Sequence, residues 1–149
     1  MEPKAKTPSQ IKHLEMLQAV VTRMANNSFL IKGWCITLVS ALLALSAKDA
    51  KSMVFVAYLP VVMFWWLDAF FLRQERLFRE RFDQVREDDS AEADFSMKTL
   101  GDKSKVDPQR KVAWSVTMRW FYGWLFVAVT LALLVLRGYF GALKHWLMA

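Results

Sequence analysis

Cysteine, histidine and glycine are scarce in this chain, with one, two and five residues among 149. The lone Cys35 excludes an internal disulfide and any multi-cysteine metal site. Five scattered glycines form no glycine-rich phosphate loop. Charge is missing from three long runs. Gly33–Ala47 lies between Lys32 and Lys48, Met53–Leu67 ends at Asp68, and Trp120–Leu136 lies between Arg119 and Arg137.

Apolar residues are abundant: 55% of the chain is hydrophobic and 14% aromatic, against 23% charged. An apolar share above the usual ~45–50% with ordinary charge content implies segregation into separate stretches. Seven tryptophans and eleven phenylalanines favour a membrane protein, where aromatic rings gather at the interface. As helix, each run covers roughly 22–26 Å, and each reaches about 20 residues if a boundary charge is tolerated, enough for a ~30 Å hydrocarbon core.

The expected fold is therefore an all-α membrane protein with three transmembrane helices and amphipathic cytoplasmic helices. Along the chain this reads as a cytoplasmic amphipathic helix (1–28), a first span (29–47), an external hairpin (48–52) and a second span (53–72). A cytoplasmic helical extension and loop (73–111), a third span (112–136) and an external interfacial tail (137–149) complete it. Pro60 is expected to kink the second span. The first run begins too late for a cleaved signal peptide.

Lysine and arginine counts set the orientation. The connection from Arg73 to Lys111 holds ten, and the N-terminal segment holds Lys4, Lys6, Lys12, Arg23 and Lys32. The opposite side has only Lys48, Lys51, Arg137 and Lys144. The positive-inside rule puts the N-terminus in the cytoplasm and the C-terminus in the periplasm. Ten acidic residues balance the ten basic ones in the central connection, which argues against a nucleic-acid partner.

Two amphipathic stripes lie in the cytoplasmic parts. Thr7-Pro8-Ser9-Gln10 has the pattern of a capping box, and Ile11, Leu14, Leu17, Val21 and Met24 follow at helical spacing. Phe78, Phe82 and Val85 form the second stripe, on a helix continuing to about Glu87. These stripes are expected to serve an oligomer or a cytoplasmic protein partner, or to pack within one subunit. Phe95-Ser96-Met97 interrupts a polar loop and suits an apolar groove.

No catalytic constellation or cofactor site emerges. His13 and His145 fall on opposite sides of the expected membrane, and Cys35 reads as an inert small hydrophobe. The sharpest signal is a layer of intramembrane charge, Lys32, Asp68 and Arg119, at similar expected depth. Asp68 suits an ion pair with Arg119 or Lys32, a polar constriction, or a side chain reaching to the interface. Gly33, Thr37, Ser40, Ala41 and Ala44 give the first span a small-residue face on which helices approach closely.

Asn27-Ser28-Phe29-Leu30-Ile31-Lys32-Gly33-Trp34, Phe64-Trp65-Trp66-Leu67-Asp68 and Gln74-Glu75-Arg76-Leu77-Phe78-Arg79 resemble a family of small bacterial inner-membrane proteins of unsettled activity, over roughly residues 10–100. The architecture also resembles membrane effectors of antiphage defence systems. The resemblance implies a bacterial inner-membrane setting and carries no catalytic residue. Three readings follow: a homo-oligomeric effector that perturbs the bilayer on a cytoplasmic signal, a passive anchor for a soluble partner, and a small ion or proton transporter using Asp68. The orientation has a direct test. A reporter active only in the cytosol is expected to be bright when fused after Glu92 and dark when fused at Ala149; a bright Ala149 fusion would overturn the three-span topology.

Overall fold

The computed structural model describes residues 6–46, 55–87, 95–98 and 106–147. Among the described residues every regular element is helical. These are α1 (Pro8–Ser46), α2 (Tyr58–Glu87) preceded by a 3-10 turn at Phe55–Ala57, the short α3 (Gln109–Ala113) and α4 (Val116–Leu147). The expected hairpin at 48–52, the acidic stretch at 88–94 and Gly101 lie outside the described residues.

Helix α1 begins where the capping box requires. The Thr7 amide donates to Gln10 Oε1 at 2.9 Å and the Gln10 amide to Thr7 Oγ1 at 3.3 Å, so two otherwise orphaned donors are satisfied reciprocally. The helix then runs for 39 residues, about 58 Å. An amphipathic helix and a separate span were expected at 1–28 and 29–47; they are one helix. No proline follows Pro8, and Gly33 alone, at about 1 kcal/mol, does not interrupt it.

Two further expectations need correction. Pro60 does not kink a span: it occupies the first turn of α2, where its missing N–H has no helical partner to lose. The C-terminal segment is no separate tail, since α4 continues through Gly138 and Gly141 to Leu147.

The chain divides into two units, Met1–Phe29 with Ala69–Val112, and Leu30–Asp68 with Ala113–Ala149. Unit one has a core of Leu17, Val21, Leu77, Val106 and Val112, with Gln10, His13 and Glu75 also buried. Its buried line on α1 runs Gln10, His13, Leu17, Val21, rotated from the expected apolar stripe. Ile11 is exposed, and Leu14 and Met24 are half-buried. A histidine is buried ahead of Ile11 because it is supplied with partners. Its Nε2 lies 3.3 Å from the Ser96 carbonyl and its ring 5.6 Å from that of Phe95. Phe95 has φ 47°, a left-handed backbone that bulky residues rarely adopt. Asp107 ties the segment before α3 to α2: its carbonyl accepts from Arg73 Nε at 3.3 Å, and its carboxylate faces Lys111 at 2.8 Å and Arg76 at 3.9 Å.

Unit two buries Ile31, Cys35 and Val39 from α1, Ala57 from the 3-10 turn, Val61 from the start of α2, and Met118, Tyr122 and Val129 from α4. Its outer surface is apolar. Leu30, Trp34, Leu45, Leu59, Met63, Trp66, Trp120, Trp124, Leu131 and Leu134 are all exposed.

Two described helices, not the three expected, are long and apolar enough to cross a membrane: Pro8–Ser46 and Val116–Val135. In α2 the apolar stretch that begins at Tyr58 meets Asp68, Arg73 and Glu75 within 18 residues, too much charge for a span by composition alone. Only 17% and 22% of the two apolar stretches are buried within the protein, whereas the core helix of a soluble globule would be mostly covered.

The rotation of α1 in unit one is measurable. Leu17 is fully buried and Ile11 is 48% exposed. Leu17→Ala is expected to cost about 2–5 kcal/mol and Ile11→Ala less than about 1 kcal/mol, read from thermal unfolding in mild detergent. Equal losses would contradict the observed rotation.

Candidate functional site

The polar centre of unit two arises from the spacing of its buried positions. On α2, Val61 and Asp68 fall seven residues apart; on α4, Met118, Tyr122 and Val129 fall four and seven residues apart. These are positions on one helix face. On α1, Lys32 adjoins the buried line through Ile31, Cys35 and Val39. One polar side chain from each helix therefore points to the same place.

Lys32 Nζ forms an ion pair with Asp68 Oδ2. The Tyr122 hydroxyl lies 3.2 Å from the same carboxylate oxygen and 3.2 Å from the Phe64 carbonyl, so its single proton is shared between two acceptors. The ammonium also lies 5.8 Å from the centroid of the Phe121 ring, whose face carries partial negative charge. Asp68 is fully buried, while the Lys32 side chain keeps 20% exposure. A carboxylate without water is tolerable only when paired and hydrogen-bonded, and both conditions hold. In this arrangement the group is a sealed clamp. Proton exchange would need water at Asp68, and none of its surface is accessible.

The third member of the expected charge layer is elsewhere. Arg119 is exposed and lines a shallow depression of about 250 Å³ with Val116 and Trp120. Tyr122 takes its place beside Asp68. Sequence reading missed this residue, although a lone phenol in an apolar run is itself a sign that a polar partner is near. Trp65 is another such case, donating from Nε1 to the Ala113 carbonyl at 2.9 Å with its ring edge-on to Trp114.

The small residues proposed for helix packing are not used for it within the chain. Gly33, Thr37, Ser40, Ala41 and Ala44 are all exposed, and a Cβ added at Gly33 would meet nothing within 4 Å. The Thr37 hydroxyl donates to the Gly33 carbonyl at 3.0 Å, which satisfies it on its own helix. Leu17 and Val21 are consumed by the core of unit one, while Phe78, Phe82 and Val85 are half-buried. Ile11, Leu14, Ala19 and Thr22 of α1 and Phe82 of α2 line an open groove of about 680 Å³. Among the described residues no cluster of three or more metal-ligating side chains occurs.

Compared with protein-family models, curated proteins and solved structures, the chain matches none of them.

The clamp makes a clear claim about stability. Asp68→Asn or Lys32→Met alone is expected to cost about 3–5 kcal/mol, because the remaining charge is left buried and uncompensated. The double variant should recover part of that loss in thermal unfolding. Arg119→Gln should change stability by no more than about 0.5 kcal/mol. An Asp68→Asn protein as stable as the parent would remove the clamp from the account.

Proposed function

We propose that the protein is a homo-oligomeric effector of the bacterial inner membrane, embedded through unit two, that perturbs the bilayer when its cytoplasmic unit meets a partner or signal. The observation that carries this reading is the outer surface of unit two. Large aliphatic and aromatic side chains face outward, the charged group is turned inward, and an uncovered face of small residues runs along α1. Apolar exposure on this scale calls for lipid or another protein. A small-residue face within it suits a second helix, because close backbone approach supplies the van der Waals contact that drives helix association in lipid.

The apolar half of α2 crosses with α1 and α4 in this reading, giving three spans. Leu59, Val62, Met63, Trp66 and Leu67 are exposed as a lipid-facing surface should be, and the charge that spoils this stretch by composition is neutralised by Lys32. The arginine-rich end of α2 lies in the cytoplasm and the C-terminus in the periplasm, following the charge bias. A passive anchor is the second reading, favoured by the open groove on unit one. The transporter reading has less support, since Asp68 is sealed.

Loss of membrane potential on controlled overproduction, together with particle mass in lipid nanodiscs, tests the effector. The parent is expected to depolarise cells and to exceed the mass of one chain. Ala41→Leu, which places a bulky side chain on the small face, should abolish both. Overpacking of about 1–3 kcal/mol is worth roughly tenfold or more in association. An oligomer that never depolarises cells would favour the anchor, and a monomer in nanodiscs would overturn the effector.

A further inference from the structure

Arg119 is left outside the clamp, and unit two offers it no second acid. Asp68 is the only aspartate or glutamate among the described residues of that unit, and Lys32 pairs with it. No acidic side chain follows Asp107 in the sequence. The Arg119 guanidinium accordingly forms no ion pair or hydrogen bond among the described residues. Arg79 and Arg86 on α2, by contrast, each face an acid of their own helix. With Val116 and Trp120, Arg119 lines the depression of about 250 Å³. The indole N–H of Trp120 has no acceptor among the described residues either, whereas that of Trp65 reaches the Ala113 carbonyl. Every polar side-chain group around the depression is thus a donor, and its one charge is positive.

We infer that this depression holds the phosphate of an anionic phospholipid, a lipid whose phosphate is its only charged group. The inference rests on the membrane-embedded reading above and specifies which lipid unit two takes. In that reading α4 enters the bilayer from the cytoplasmic side, so its first turns lie among the inner head groups. A long side chain on a helix leans toward the N-terminus, over the preceding turn. Val116, one turn before Arg119, lines the same depression, as a guanidinium reaching back toward the head groups requires. A guanidinium grips phosphate through paired N–H···O bonds, and interfacial tryptophans donate in the same layer.

The surface beneath the guanidinium suits the rest of the lipid. Gly123 follows Arg119 by four residues on the same helix face, is exposed, and an added Cβ there would meet nothing within 4 Å. The helix is therefore bare below Arg119, beside the exposed side chains of Trp120, Trp124 and Val127. An acyl chain fits along this face. A zwitterionic lipid would also bring a cation, and no acid of unit two is there to receive it. A head group with net negative charge is therefore preferred.

The test uses the full-length protein in nanodiscs and in mild detergent, with retained lipid read by native mass spectrometry. An equimolar mixture of phosphatidylglycerol and phosphatidylcholine supplies the competing head groups. The parent is expected to retain phosphatidylglycerol at least roughly tenfold more than phosphatidylcholine. Arg119→Gln should reduce that preference to within about twofold, and Arg119→Lys, which keeps the charge but not the fork, should lie between. Arg86→Gln removes one exposed charge from unit one and should leave the preference unchanged. A parent without the preference, or a preference that survives Arg119→Gln, overturns the lipid site. Displacement of phosphatidylglycerol by millimolar inorganic phosphate also overturns it, since the ligand is then a soluble anion. A fall in oligomer mass on Arg119→Gln does the same, since the partner is then an acid of a second copy. If the parent depolarises cells and forms oligomers yet shows no lipid preference, only this inference fails and the effector reading stands. A parent that does not enter nanodiscs overturns both.

Discussion

Asp68 is the constraint around which unit two is organised. A carboxylate with no exposed surface, set in a run of aromatic and aliphatic residues, is strongly unfavourable unless a cation and a hydrogen-bond donor reach it. Both arrive, from different helices: Lys32 from α1 and Tyr122 from α4. Because each is fixed on its helix, meeting at one oxygen sets the rotation of α1, α2 and α4 together. Apolar packing alone would tolerate several rotations, since leucine, valine and phenylalanine exchange places in a core at modest cost. The clamp is therefore better understood as a determinant of which arrangement forms than as a large net source of stability.

Given that rotation, the remaining surface follows. Turning Cys35, Val39, Val61, Met118 and Val129 inward leaves Trp34, Leu59, Met63, Trp120 and Leu131 outward. The result reverses the distribution of a soluble protein: the outside is apolar and the most polar group lies within. The same rotation leaves Gly33, Thr37, Ala41 and Ala44 uncovered, so the smallest residues of α1 form its outer face.

Unit one solves a different problem, that of burying polar groups beside apolar ones in short helical segments. His13 is buried because the irregular segment at Phe95 and Ser96 is laid against it, at the cost of a left-handed conformation at Phe95. Asp107 closes the other side through Arg73, Arg76 and Lys111. These contacts use up Leu17 and Val21 within the chain and leave Ile11, Leu14 and Phe82 to line a surface groove.

The sequence by itself determined the helical class, the capping box that starts α1 and the two apolar stretches in α1 and α4, because capping and uncharged runs are local properties. It also marked Lys32 and Asp68 as out of place among apolar neighbours. Tertiary structure alone decided their partner and the rotation of each helix. Arg119 and Tyr122 differ by three residues, less than one helical turn, yet one is exposed and the other completes the clamp. A helix places residues around its full circumference at the same depth, so depth is readable from position in the chain. Which side faces inward is settled only when three helices are packed against one another.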